Sequence, residues 1–286
     1  MIIANPIYDV VFKRMLENER VAKFFIGTLL EQTILSVEIK PQEFTYVNES
    51  SSLAVFRLDF IATILTETGE SKKVLIEIQK AQNQIDLMRF RNYLGEQYRK
   101  EDSVKDEKVA LPITTIYILG FSLPEILTPC IIVERNYIDL INRTVLQTKS
   151  DFVERLTHDC FVVQVQRITG RYQTRLDKLL SVFEQTNFLD DKKIVKEFTH
   201  ETDLEELKLM TEILHHSGTN TAERQKIEAE QEAWRSYYAM FADERRKLMQ
   251  ALSEKDQALS EKDQALSEKD QLIEDLLRKL KDKGSE

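Results

Sequence analysis

Two carboxylates, Asp59 and Glu77, lie in β-rich runs on either side of one glycine-containing turn. The runs are Leu53–Leu65 and Ser71–Lys80, joined by Thr66-Glu-Thr-Gly-Glu70. Apolar, β-branched stretches bounded by such a turn read as a hairpin. With Glu67-Thr68-Gly69 as a three-residue loop and Gly69 left-handed, Thr66 pairs with Glu70. Paired residue numbers then sum to 136, and Asp59 faces Glu77. Side chains two apart on a strand share a face, so Arg57, Asp59, Glu77 and Gln79 form one polar row. Leu58, Phe60, Ala62, Val74, Ile76 and Ile78 fill the other face as core. A slip of one residue would turn Asp59 into that core.

Like charges directly across a ladder destabilise it. A hard divalent cation neutralises such a pair, because Mg²⁺ prefers carboxylate oxygens and keeps waters available for chemistry. Two other arrangements meet the same need: Arg57 or Lys80 pairs with the acids, or the polar row is solvated.

Further motifs flank the hairpin. Asn5-Pro-Ile-Tyr-Asp9-Val-Val-Phe12-Lys13 opens a helical pattern, and Arg57-Leu-Asp59-Phe and Ile76-Glu77-Ile-Gln79 lie on the two strands. Arg89-Phe-Arg-Asn-Tyr93 follows, with Arg89 and Tyr93 one helical turn apart, and then the β-run Pro112–Leu119. In order and spacing this set resembles the PD-(D/E)XK nuclease superfamily. It is most similar to the transposase-like, recombination-promoting nuclease branch, over about the first 120 residues. The resemblance implies a Mg²⁺-dependent DNA endonuclease, with Mn²⁺ as a substitute ion, serving recombination, mobile DNA or defence. Asp59 and Glu77 would hold the metal with the Ile78 carbonyl as a third ligand. Gln79 would orient water or a phosphate oxygen, and Asp9 would hold a second metal or a water. Lys13, Arg89 and Tyr93 would meet the DNA phosphate. Gln79 stands where the superfamily commonly carries Lys, and this favours a second expectation: an inactive nuclease-fold scaffold or regulatory protein acting through its tail.

The elements that must position these residues follow from pattern. A helix from Asn5 or Asp9 to about Leu30 shows helical apolar spacing, and Ile34–Phe44 reads as a strand. Helices are expected at Gln84–Lys100, Arg171–Phe188 and Leu204–His216. Strands are expected at Ile113–Leu119, Ile131–Val133 and Phe161–Val165, with Glu101–Lys108 as a charged linker. The fold class is therefore α/β, a mixed central sheet flanked by helices, which the resemblance makes a restriction-endonuclease-like core. Its domains are 1–200 (nuclease-like), 201–220 (helical connector) and 221–286 (heptad tail), with Ser217–Asn220 as the late boundary.

Only 7 Gly and 5 Pro in 286 residues favour long helices over a loop-rich fold. Cys130 and Cys160 lack metal-ligand spacing and read as reduced thiols, and the adjacent His215-His216 point apart on a helix. No stretch approaches the ~20 apolar residues of a membrane span, and no secretory signal is evident, so a cytoplasmic location is expected. The net charge of −9 opposes strong nonspecific DNA affinity. It is unevenly spread, at −2 for residues 1–110, 0 for 111–200 and −7 for 201–286.

That acidic end carries Gln250-Ala-Leu-Ser-Glu-Lys-Asp256 three times in tandem. A seven-residue apolar period, with Leu252, Leu259, Leu266, Ile273 and Leu280 at position a, argues for a coiled coil. Lys255, Lys262 and Lys269 at position d weaken it. A homodimer or higher oligomer through this helix is expected, the alternative being a solvated single helix. Trp234, Tyr237, Tyr238 and Phe241 read as a docking stripe.

Overall fold

A computed structural model describes residues 1–47, 54–79, 84–104 and 107–236, together with scattered positions between 239 and 269. For residues 39–47, 54–59, 84–86, 89 and 104 it describes the backbone alone. The chain divides into two compact units, Met1–Glu232 and Ala233–Glu286.

In the first unit a short strand β1 (Ile2–Ala4) precedes two helices, α1 (Asp9–Leu16) and α2 (Glu19–Leu30). The apolar periodicity of this region reads as one helix, but Asn18 divides it. Its side chain accepts from the backbone N–H groups of Arg20 and Val21, satisfying donors that a new helix start leaves open. Then come β2 (Ile34–Val47), β3 (Ala54–Thr66), β4 (Ser71–Gln79) and the crossover helix α3 (Gln84–Arg99). The charged stretch expected as a linker forms a small antiparallel ribbon, β5 (Asp102–Val104) with β6 (Glu107–Val109). Buried Lys73 explains this: its Nζ lies 2.7 Å from Asp102 Oδ2 and donates to the Gln97 carbonyl, so the ribbon is tied down by an ion pair out of water.

Next follow β7 (Ile113–Leu119), β8 (Cys130–Val133), the ribbon of β9 (Tyr137–Ile138) and β10 (Val145–Leu146), the single turn α4 (Asp151–Glu154) and β11 (His158–Gln164). Helix α5 (Arg175–Ser181) starts at a capping box between Thr174 and Asp177; β12 (Val195–Glu197) and α6 (Glu205–Thr219) complete the elements. Strands β2-β3-β4-β7-β11-β8 form one six-stranded mixed sheet, with β4, β7 and β11 parallel and the remaining pairs antiparallel. The fold is thus α/β, a mixed sheet flanked by helices.

The larger core packs α1, α2, α5 and α6 on one sheet face. Phe12 is central, its ring 5.2 Å from Phe60 on β3, 5.4 Å from Phe25 and 6.2 Å from Phe183. On the other face α3 closes a smaller cluster of Ile61, Leu75, Tyr93 and Ile113. Helix α6 runs through Ser217 and Gly218, which the sequence marks as a turn. Both are buried, and an added Cβ on Gly218 would come 2.8 Å from the Ala4 nitrogen, so this glycine permits close approach to β1. The break falls at Asn220, whose Oδ1 accepts from the Glu223 N–H and begins the next helical stretch.

In the second unit the described positions 233–236, 239, 246, 247, 249–251, 254, 255, 257, 262, 266 and 269 are helical, and Leu266 is exposed. The other heptad leucines and isoleucine, along with Tyr237, Tyr238 and Phe241, lie outside the described residues.

Candidate functional site

The β3–β4 hairpin has the register expected from its turn. Phe60 pairs with Ile76, Ile61 with Leu75, Ala62 with Val74 and Leu65 with Ser71, each pair summing to 136. Gly69 has φ of 79°, its N–H donates to the Thr66 carbonyl, and the Thr66 N–H donates to the Glu70 carbonyl. The left-handed conformation is available to glycine without a Cβ penalty, so one residue sets the register of the whole hairpin. The ladder ends at Phe60 and Ile76; one step further, the same register would align Asp59 with Glu77. The backbone of Asp59 lies in β3 opposite Gln42, while the side chains of Arg57, Asp59 and Arg89, and Lys80 altogether, lie outside the described residues.

Strand β4 is buried on both faces, and its rows divide cleanly. Val74, Ile76 and Ile78 join the core beneath α1 and α2, whereas Leu75 joins the cluster beneath α3. By the period of two, Lys73, Glu77 and Gln79 share the Leu75 row. Glu77 is 1% exposed and Gln79 7% exposed, so both polar side chains stand in the layer covered by α3. That Glu77 and Gln79 share a row was legible from the sequence; that a helix buries them was not.

Helix α3 runs antiparallel to β4 over this row. Gln97 sits over Lys73 through its carbonyl, and Tyr93 packs with Leu75. The Phe90 ring lies 4.5 Å from that of Tyr117, the β7 residue paired with Glu77. Four helical residues rise ~6 Å and two strand residues ~6.6 Å, so each turn of α3 advances about two residues of β4. Arg89, one turn before Tyr93, is therefore at the level of Glu77. Phe90 and Tyr117 complete the wall of the site; sequence reasoning passed over them, although the period of two on β7 sets Tyr117 in the same row.

The backbone contributes an oxygen. The Lys73 N–H donates to the Pro112 carbonyl and the Gly120 N–H donates to the Gln79 carbonyl, so odd-numbered peptide groups of β4 face β7. The Ile78 carbonyl faces the opposite edge, toward β3. Carboxylate and carbonyl oxygens are the donor types that suit Mg²⁺, as thiolate and imidazole are not. Among the described residues no group of three or more His, Cys, Asp and Glu side chains is placed to hold a metal; Asp59 is outside that comparison.

Asp9 and Lys13 stand in the other layer. They belong to α1, which packs Phe12 onto Phe60, on the sheet face opposite Glu77. Asp9 is buried, and its backbone N–H and that of Val10 donate to the two carboxylate oxygens of Glu230, each at 3.0 Å. A carboxylate at this helix start satisfies open donors and complements the macrodipole. Glu77, Gln79 and Tyr93 thus lie on the α3 side of β4, whereas Asp9 and Lys13 belong to α1 on the opposite sheet face.

The remaining titratable groups occupy structural positions. Cys130 and Cys160 are thiols outside any disulfide, on adjacent strands, and burial pushes Cys130 up to about 11. His158 shares a hydrogen bond with the Tyr98 hydroxyl, His200 stacks on Tyr172, and His215 Nδ1 lies 2.6 Å from the Ile2 carbonyl oxygen. No described helix is long and apolar enough to cross a membrane. No protein-family model, curated protein or solved structure matches the chain.

Proposed function

We propose that this protein is a metal-dependent endonuclease that hydrolyses phosphodiester bonds in DNA, with its site at the carboxyl end of β4. The hairpin register carries this reading. It favours Asp59 opposite Glu77 on the α3 face, where two acids and the Ile78 carbonyl would converge on one hard cation. Mg²⁺, or Mn²⁺ in its place, would supply Lewis-acid polarisation of the phosphate and a water of lowered pKa. Glu77 and Asp59 would hold the ion, and the Gln79 amide would orient the attacking water or a phosphate oxygen. Arg89, at the level of Glu77, would offset phosphate charge, and Tyr93 and Phe90 keep this end of the row dry. The layer arrangement supports roles for Asp9 and Lys13 least.

A plasmid-nicking assay with Mg²⁺ or Mn²⁺ tests the proposal. Wild-type protein should convert supercoiled DNA to open circles, chelator should abolish the conversion, and Glu77→Ala should remove it while the chain stays folded. A second reading, an inactive nuclease-fold scaffold working in the cytoplasm through an oligomerising heptad tail, draws on Gln79 at the usual lysine position. Absence of nicking with either ion, combined with no metal binding by calorimetry, selects the scaffold.

A further inference from the structure

The end of the sheet farthest from β2 displays an apolar surface that the proposed nuclease site does not use. Strand β8 is the terminal strand, and among the described residues nothing pairs with its outer edge. Its sequence, Cys-Ile-Ile-Val, carries none of the lysine or proline that commonly protects an edge. Ile132 and Val133 are about half exposed, and Phe152 and Leu156 on the neighbouring α4 segment more so. The β9–β10 turn adds Leu140, 73% exposed, and Ile141, 90% exposed.

This display is held in place. Arg135, just past β8, reaches Glu154 Oε2 at 2.7 Å and Asp159 Oδ1 at 3.0 Å, and the Tyr137 hydroxyl donates to Glu154 Oε1 at 2.6 Å. These bonds bind β8, the ribbon, α4 and β11 together. In the turn, Asp139 Oδ1 accepts from the Ile141 and Asn142 N–H groups, and the Arg143 N–H donates to the Asp139 carbonyl. Positions that ordinarily carry polar turn residues thus present leucine and isoleucine outward in an ordered loop.

We infer that this edge is a self-association surface, in which β8 of one chain pairs antiparallel with β8 of a second copy about a two-fold axis. Area and charge select that occupant. At on the order of 100 Å² of apolar surface per large aliphatic or aromatic side chain, the six named residues, with Ile132 and Val133 on opposite faces of the edge strand, expose roughly 400 Å² in all. A stable interface of ~800 Å² per partner is a little over half apolar, about 450 Å². Residues 134–156 hold four acidic and four basic side chains, so the surface is neutral in a chain of net −9 and does not repel a copy of itself. A neutral apolar surface is wrong for nucleic acid, which needs a basic one. A two-fold contact between unpaired edges extends both sheets and satisfies both rows of backbone groups.

Sedimentation equilibrium on the full-length chain tests this. Leu252→Ser, Leu259→Ser and Leu266→Ser form one background, so that association through the heptads is read separately. In that background the chain should remain dimeric, and adding Val133→Lys with Ile141→Asp should raise the dimer dissociation constant at least tenfold. All of the substituted patch positions are exposed, so at concentrations low enough that both proteins are monomeric the circular-dichroism melt should be unchanged. In the dimer, hydrogen exchange of the β8 amides should slow relative to the patch variant. A monomer in the serine background at all concentrations overturns the inference. So does a dimer indifferent to the patch substitutions, or an edge that pairs only with a different protein.

Discussion

Replacing Glu77 by glutamine in the absence of metal separates the readings of the site most sharply. Opposed Cβ atoms on an antiparallel pair lie about 4.5–5.5 Å apart. Two carboxylates about 5 Å apart, at an effective dielectric constant of ~20, repel by roughly 3 kcal/mol. Local solvent and neighbouring dipoles reduce this, so Glu77→Gln, which keeps shape and hydrogen-bonding capacity, should stabilise the metal-free protein by about 1–3 kcal/mol. At about 2–4 °C per kcal/mol for a unit of this size, that is a rise in melting temperature of roughly 2–12 °C in chelator. Mg²⁺ should reverse the order. At a hundredfold excess over its Kd it would stabilise wild type by about 2.7 kcal/mol, and the glutamine variant far less. Differential scanning calorimetry at neutral pH, with chelator and then with Mg²⁺, reads both effects. If Glu77→Gln melts lower than wild type in chelator and Mg²⁺ leaves wild type unmoved, the facing-carboxylate argument is refuted. A cation such as Arg57 or Lys80 then satisfies Glu77.

Three further outcomes are expected. Gly218→Ala forces a Cβ to 2.8 Å from the Ala4 nitrogen and should cost about 1–3 kcal/mol in urea unfolding, whereas an unchanged midpoint would mean that β1 yields. Lys73→Met strands Asp102 in the β5–β6 ribbon and should cost about 3–5 kcal/mol; Lys73→Met with Asp102→Leu should recover much of it, and no recovery would show that the ion pair is not the cause. Lys196 is buried, donating to the Ser181 and Glu184 carbonyls, and burial lowers it from its ordinary 10.5 to about 7. Between those values the unfolded chain holds a proton that the folded chain gives up, so stability should climb with pH from about 7 to 10.5. The climb should flatten in Lys196→Met.

What the sequence determined by itself was local. Gly69 at the left-handed position of a three-residue loop dictated the β3–β4 register, because a turn and a period of two leave no other pairing that buries Phe60, Ala62, Val74 and Ile76 together. The strong periodicities of α3, β7 and α6 were legible for the same reason. Where signals were short they misled: one asparagine cap at Asn18 outweighed an unbroken apolar pattern, and Gly218 served close packing rather than a turn. Tertiary structure alone decided which layer covers the Glu77 and Gln79 side chains. Glu77 and Gln79 lie under α3 because the β4-to-β7 crossover carries that helix over their face, and Asp9 lies in the opposite layer because Phe12 packs on Phe60. Those placements arise from contacts between residues distant in the chain, which spacing along a sequence does not encode.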